Sequence, residues 1–269
     1  MEKTKEEFEV ELIDYERVTA RKTFYTVVLK RFFDIFFSLI AIMLSFPICL
    51  VTYIISLIIL RGNPLFVQYR PGKDGKIFKM YKFRSMTNKK DENGNLLPDS
   101  QRITKWGKII RRLNIDELPQ FLNILKGEMS FVGPRPRLIK DMIFYSPEVM
   151  RAYVVKPGLT GPAQVYDRSS SQSWESVFER DLEYAKNESF KIDLKLLIKT
   201  FTAIFERGAE NGAVETQNKR DYYYADYLLK NGKISKKEYD EGIEAAKALT
   251  RKNDLIEYQK TFELTKVEK

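Results

Sequence analysis

Hydrophobic positions along the chain fall into one long run followed by a series of short periodic segments. Residues 35–60 are apolar or small, carry no charge and have Pro47 near their middle. Crossing a bilayer takes about 20 apolar residues, so the run is long enough to span. The proline divides it into two arms of roughly 12 residues, each about 18 Å long at the helical rise. Neither arm alone reaches across a hydrocarbon core of about 30 Å. Proline in a helix interior removes a hydrogen bond and clashes with the preceding turn, so Ser45-Phe46-Pro47 is a place to bend. In lipid the freed carbonyl needs a partner, and the Ser45 hydroxyl can supply one. Basic residues flank both ends, from Arg17, Arg21, Lys22, Lys30 and Arg31 to Arg61, Arg70, Lys73, Lys76, Lys79, Lys82 and Arg84. Positive flanks mark the cytoplasmic side. The pattern therefore favours a re-entrant hairpin over a spanning helix with a tolerated kink. The run starts late, and no small-residue cleavage pattern follows it, which speaks against a signal peptide.

Downstream the periods shorten. Residues 1–29 read as a mixed-charge, partly helical lead-in, and Asp34 sits one turn inside the apolar element as a capping and charge-balancing acid. Residues 65–86 read as extended structure around a turn at Pro71-Gly72-Lys73-Asp74-Gly75. Residues 87–101 form a polar loop. Residues 103–113 are a basic amphipathic helix, suited either to a membrane surface or to a soluble core. A second helix is expected over 114–125, with Asn114 and Glu117 at capping-box spacing, Pro119 in the first turn and Gly127 as the stop. A proline-rich loop at 130–136 presents Arg135. Residues 141–155 read as helix, 157–162 as a turn-rich loop, 163–165 as a short strand, and 174–187 and 194–205 as helices. The tail after residue 207 changes character and suggests a helical hairpin about Asn231-Gly232.

Composition narrows the chemistry. With 269 residues the chain suits one globular domain plus appendages. Its formal charge of +9 favours anionic partners. One cysteine, Cys49 in the apolar run, rules out an internal disulfide and fits a reducing compartment. There is no histidine, so Ser–His and Cys–His nucleophiles and His-ligated zinc sites are excluded. Acid–base and nucleophilic work falls to Asp, Glu, Lys or Tyr.

Asp116 and Glu117 lead the candidates. Acids at a helix start fit the dipole for capping alone, worth about 0.3–1 kcal/mol. A helix start is also an anion site, and a carboxylate is a sensible nucleophile toward phosphorus in a chain without histidine. Mg²⁺ on Asp116 and Glu117 would neutralise the approaching negative charges. A basic set accompanies them: Lys82, Arg84, Arg111 and Arg112, with Arg135 held in direction by flanking prolines. Arginine forks pair with phosphate oxygens, whereas lysine acts as a point charge. Gln164, in the segment after the second loop, completes the candidate substrate-binding set.

Taken in order, Lys30-Arg31-Phe32-Phe33-Asp34, the proline-broken run, Arg70-Pro71-Gly72 and Lys82-Phe83-Arg84-Ser85-Met86 resemble the bacterial sugar transferases. So do Asp116-Glu117-Leu118-Pro119-Gln120, Ser130-Phe131-Val132-Gly133-Pro134-Arg135-Pro136 and Pro157-Gly158-Leu159-Thr160-Gly161. These are the monotopic polyprenyl-phosphate phosphoglycosyl transferases that initiate surface-glycan assembly, and the collinear likeness runs over about residues 30–205. The resemblance implies transfer of a sugar-1-phosphate from a UDP-sugar to undecaprenyl phosphate with release of UMP. Asp116 would be the nucleophile that carries a covalent phosphosugar, Glu117 a metal or acid–base partner, and Lys82, Arg111 and Arg135 phosphate holders. The family's membrane bend is an adjacent Ser-Pro pair, whereas here Phe46 separates Ser45 from Pro47. Pro162 stands where a tryptophan often follows the Thr-Gly of the later loop.

These readings set the expectations. The fold class is α+β, mostly helical: a re-entrant membrane hairpin joined to a small cytoplasmic α/β catalytic domain with amphipathic surface helices. The domains are 1–29 lead-in, 30–62 membrane hairpin, 63–206 catalytic and 207–269 helical extension. The partners are a UDP-sugar, undecaprenyl phosphate and membrane lipid at the cytoplasmic face of a bacterial inner membrane. Nucleic acid is disfavoured, because the cations cluster beside the membrane run where phospholipid is the nearer anion. The C-terminal extension leaves room for a homo-oligomer or pathway partners. The rival reading is a non-catalytic, membrane-bound assembly factor docking anionic lipid or a partner protein.

Overall fold

The structure, a computed structural model, describes residues 20–94, 96–166, 173–209 and 223–249. The apolar run forms helix α1 (Lys30–Leu60), with Pro47 inside it. A π-helical turn, Tyr25–Leu29, precedes it, and the stretch Tyr25–Leu60 is long and apolar enough to cross a membrane. One expectation changes here. Pro47 leaves the carbonyl of Met43 without its helical donor, yet the Ser45 hydroxyl donates to Ile42 (3.4 Å). An i−3 bond within its own turn is the nearer one for a serine on a helix.

Two compact units alternate along the sequence. One holds residues up to 31, 69–78 and those from 128 onward; the other holds 32–68 and 79–127. Strands β1 (Leu65–Pro71) and β2 (Ile77–Phe83) pair as a two-stranded sheet. Asp74 and Gly75 take positive φ of 57° and 73° at its turn, as the Pro-Gly-Lys-Asp-Gly signature requires.

In the second unit the basic amphipathic segment is helix α2 (Lys105–Arg112), with Thr104 accepting from the Gly107 N–H (2.8 Å) as its cap. Ile110 is its buried anchor. The helix expected over 114–125 is shorter and its capping box is absent. Asn114 adopts a left-handed φ of 54° and makes no capping bond, so residues 115–117 form a 3₁₀ turn. Asparagine tolerates that conformation better than most residues. Helix α3 (Gln120–Lys126) begins only after Pro119 and ends at Gly127, as foreseen.

The first unit centres on a parallel pair, β3 (Ser130–Val132) and β4 (Gly158–Thr160), in register Ser130↔Gly158 and Val132↔Thr160. The sequence reading placed loop at β4 and a strand at 163–165. Those last residues instead belong to helix α4 (Pro162–Tyr166), where proline fits the first turn. The helix expected over 141–155 is broken into Ile139–Met142, Pro147–Met150 and a 3₁₀ turn, Arg151–Val154. Pro147 cannot continue the first piece and starts a new one under a Ser146 cap. Helices α5 (Trp174–Asn187) and α6 (Phe190–Ala209) follow, and α7 (Tyr224–Lys230) and α8 (Lys236–Leu249) form the expected C-terminal hairpin. The fold is thus mostly helical with two small sheets.

Two apolar clusters fill this unit, one around Val132, Val155, Tyr184 and Leu196, the other around Ile139, Met142, Tyr145, Tyr153 and Ala246. Lys30, at the root of α1, is buried among Glu188 (2.6 Å), Asp193 (2.7 Å), the Tyr184 hydroxyl (2.7 Å) and the Val132 carbonyl (3.0 Å). On α6, Leu196 faces inward while Phe190, Leu194, Ile198 and Phe201 stay exposed, with Lys191, Lys195 and Lys199 beside them.

Candidate active site

Strand β2 and the 3₁₀ turn after α2 bring four of the predicted residues together in the second unit. Lys82 projects near the end of β2 and its Nζ lies 2.9 Å from Glu117 Oε1. Asp116 shares this neighbourhood. Its carboxyl is pushed up from 3.8 to about 6, first by burial, then by the negative charge of Glu117. Lys82 and Arg111 oppose the rise, together with the residue's own backbone N–H. Burial outweighs the cations because Lys82 is already engaged by Glu117.

Arg111 is aimed by a residue the sequence reading left without a role. Its Nε donates to Ser85 Oγ (2.8 Å). That contact depends on close approach of α2 to the segment after β2. A Cβ on Gly107 would lie 1.9 Å from the Ser85 carbonyl oxygen, so only glycine fits. Arg84 points elsewhere with its Nε, which donates to the Met86 carbonyl (3.0 Å).

Asn123 was also missed. Buried on α3, it accepts from the Tyr81 N–H (3.1 Å) and donates to the Lys79 carbonyl (2.6 Å), clamping β2 just before Lys82. An amide among the apolar positions of 120–125, directly after the acidic pair, was the available signal.

Arg135 and Gln164 belong to the first unit. Arg135 is exposed between buried Pro134 and Pro136 on the loop that follows β3. The Gly133 N–H donates to the Thr160 carbonyl (3.0 Å) and the Gly158 N–H to the Pro134 carbonyl (2.9 Å). This lacing explains the Pro-Gly-Leu-Thr-Gly motif, since a Cβ on Gly158 would meet the Gly133 nitrogen at 2.1 Å. Gln164, on α4, donates its Nε2–H to the Leu159 carbonyl (3.4 Å), bracing that same segment.

The whole arrangement sits on residues that a family profile recognises. The profile of the bacterial sugar transferases matches residues 25–207. The chain belongs to the bacterial sugar transferase family. It is 48% identical over 176 residues to the uncharacterised sugar transferase EpsL of Bacillus subtilis, covering 65% of this chain and 86% of that one. It is 37% identical over 187 residues to a UDP-N-acetylgalactosamine-undecaprenyl-phosphate N-acetylgalactosaminephosphotransferase of Aeromonas hydrophila, covering 65% of this chain and 43% of that one. A UDP-glucose:undecaprenyl-phosphate glucose-1-phosphate transferase of Klebsiella pneumoniae is 37% identical over 183 residues, with 65% of this chain and 39% of that protein aligned. The matched region thus spans less than half of the Aeromonas and Klebsiella proteins. Those two are named for different sugars. The C-terminal hairpin α7–α8 lies beyond the residues the profile covers.

As for a metal, no three His, Cys, Asp or Glu side chains gather among the described residues. A closed all-protein cage is therefore not offered there. Mg²⁺ is commonly held by one or two carboxylates plus substrate phosphates, and Asp116 with Glu117 fits that requirement.

Proposed function

We propose that the chain is a polyprenyl-phosphate sugar-1-phosphate transferase that takes a UDP-sugar and undecaprenyl phosphate at the cytoplasmic face of the inner membrane and releases UMP. The observation that carries this reading is the half-buried Asp116, held near pKa 6 beside Lys82 and Arg111 in a chain without histidine. At neutral pH such a carboxyl is still about nine-tenths ionised, so it is available as a nucleophile. In the first step an Asp116 carboxylate oxygen attacks the phosphorus that bears the sugar. The bond from that phosphorus to the bridging oxygen breaks and UMP leaves with the oxygen. In the second step a phosphate oxygen of undecaprenyl phosphate attacks the same phosphorus, the aspartyl–phosphorus bond breaks, and Asp116 is regenerated. Lys82 and Arg111 offset the phosphate charge beside Asp116, and from the family resemblance we assign Arg135 a phosphate-holding role as well. Glu117 orients Lys82 through the 2.9 Å ion pair and, together with Asp116, would hold Mg²⁺. When bound, Mg²⁺ would neutralise charge on the phosphate oxygens.

We infer that α1 inserts as a re-entrant hairpin, a reading that connectivity supports. Lys30 is buried in the first unit, and the chain is back in that unit by Tyr69, which packs in its second cluster. Only residues 61–68 lie between Leu60 and that return, and 65–68 belong to β1. Eight residues reach at most about 26–29 Å, and an open two-stranded sheet cannot cross lipid with its edges unpaired. On this reading both ends of α1 face the same side of the membrane, with Pro47 near the apex. The exposed apolar stripe of α6 and its flanking lysines suit an anionic membrane surface in the same way.

The deciding experiment incubates the purified protein with undecaprenyl phosphate, Mg²⁺ and a panel of UDP-sugars, reading UMP release and capture of labelled sugar-phosphate on the protein. Release with at least one sugar, and loss of both signals in Asp116→Asn, are expected. No release across the panel would return the chain to a lipid- or partner-docking role.

A further inference from the structure

The arginine loop of the first unit is fixed at both ends, and its second anchor lies outside the motif. Upstream, Pro134 is tied to Gly158 as described above. Downstream, one proline beyond Arg135, Arg137 turns inward. Its guanidinium carbon lies 4.8 Å from the centre of the Trp174 ring, and its Nη2 is 3.8 Å from Asp181 Oδ2. The two side chains of this ion pair are only 15% and 6% exposed. Trp174 and Asp181 stand seven residues apart, two turns along one face of α5. The adjoining cavity, of about 10 Å³, has room for one water at most. Arg137, one of the residues that line it, is therefore packed as a fixture.

The C-terminal hairpin closes this arrangement. Tyr224 of α7 packs 5.5 Å from Trp174, 5.0 Å from Phe178 and 5.5 Å from Tyr145, centre to centre. Its neighbour Ala225 donates its N–H to the buried carboxylate of Asp141 (3.2 Å). We propose that Arg137 is a positioning residue: clamped by Trp174 and Asp181 under the α7 cover, it fixes the backbone direction from which Arg135 reaches a substrate phosphate. The inference rests on the phosphate-holding role of Arg135 proposed above. A planar guanidinium stacked on an indole has no equivalent in lysine, so the conservative replacement is informative.

The test is a double-mutant cycle on the full chain, reconstituted with undecaprenyl phosphate and using the most active of UDP-glucose, UDP-galactose, UDP-N-acetylglucosamine and UDP-N-acetylgalactosamine. Arg137→Lys is expected to lower kcat/KM about tenfold, mainly through KM, with the thermal midpoint nearly unchanged. In the Arg135→Ala background the same change should cost less than twofold, because the side chain it positions is gone. If Arg137→Lys fails to fold, Trp174→Phe carries the same cycle with an expected loss of two- to fivefold. Equal losses in both backgrounds, or no loss in either, would overturn the positioning role while leaving the transferase reading intact. An Arg135→Ala protein with unaltered kcat/KM would overturn the phosphate role of Arg135 and this inference with it.

Discussion

Asp116→Asn should make the protein more stable while abolishing its turnover. The substitution removes the charge, keeps the size and retains one oxygen to accept the backbone N–H. The carboxyl is displaced from 3.8 to about 6, with burial the leading cause. At about 1.4 kcal/mol per tenfold change in proton affinity, that corresponds to about 3 kcal/mol against the ionised form. Water reaching a half-buried carboxyl screens part of this, which leaves about 1–2 kcal/mol. Because the folded state binds the proton more tightly than the unfolded one, the associated stability is complete below pH 3.8 and is lost as pH rises through about 6. At pH 8 the wild type therefore bears the cost of the charge and the asparagine variant does not. Paired thermal unfolding in detergent at pH 8, 6 and 4 should show a Tm gain of about 3–6 °C at pH 8. The gain should shrink toward zero at pH 4. A lower Tm at pH 8, or a gain that ignores pH, would refute the desolvation argument and with it the case for Asp116 as a site held against its own solvation.

The same displacement gives catalysis the opposite pH dependence: kcat/KM should be level above about pH 7 and fall about tenfold per pH unit below about 6, as read by UMP release in buffers of constant ionic strength. Gly107→Ala drives a Cβ against the Ser85 carbonyl, 1.9 Å away in the undisturbed backbone. It should destabilise by about 1–3 kcal/mol and lower turnover by moving Ser85 from Arg111, both visible in one purified variant. Asn123→Ala removes the clamp on Tyr81 and Lys79 and should cost about 2–3 kcal/mol in denaturant unfolding. Chelation by EDTA should stop UMP release and readdition of Mg²⁺ restore it, with thermal stability unaffected because the carboxylates form no closed cage.

Much of the candidate site's composition was legible because it is carried by residue type. The absence of histidine leaves Asp, Glu, Lys and Tyr for nucleophilic work, and adjacent acids beside a basic segment single out Asp116 and Glu117, which the structure brings together with Lys82. What sequence could not reveal is geometry created by close backbone approach. Gly107 reads as a weak spot in an amphipathic helix, yet it is the residue that lets Ser85 orient Arg111. The strand at 158–160 is three residues long and rich in glycine, so it has no period to detect, and its identity comes from pairing with residues 130–132. Asn114 matched a capping box in spacing but turned left-handed, because the chain must reverse after α2 to bring Asp116 toward Lys82. The proline marks Ser45-Phe46-Pro47 as a place to bend, but the partner of the Ser45 hydroxyl was not legible: it donates to the Ile42 carbonyl, since a serine's own turn offers the nearest one.

The Lys-Arg opening of the apolar run shows how local and distant demands meet in one residue. Read alone, Lys30 is a membrane-flanking cation. In the fold it is buried with Glu188 and Asp193 and donates to the carbonyl of Val132. Val132 ends β3, and the next residues are Gly133-Pro134-Arg135. The root of the apolar helix and the arginine loop thus share one three-residue strand. Removing the lysine would leave two buried carboxylates uncompensated, a loss of about 3–5 kcal/mol where partners of this kind have been broken. On the proposed function this linkage has a use. A lipid phosphate resides at a fixed depth in the headgroup layer, whereas a nucleotide sugar arrives from water. An arginine whose loop follows a strand tied to Lys30 starts from a fixed backbone, so it need not search for the lipid acceptor as a mobile arm would.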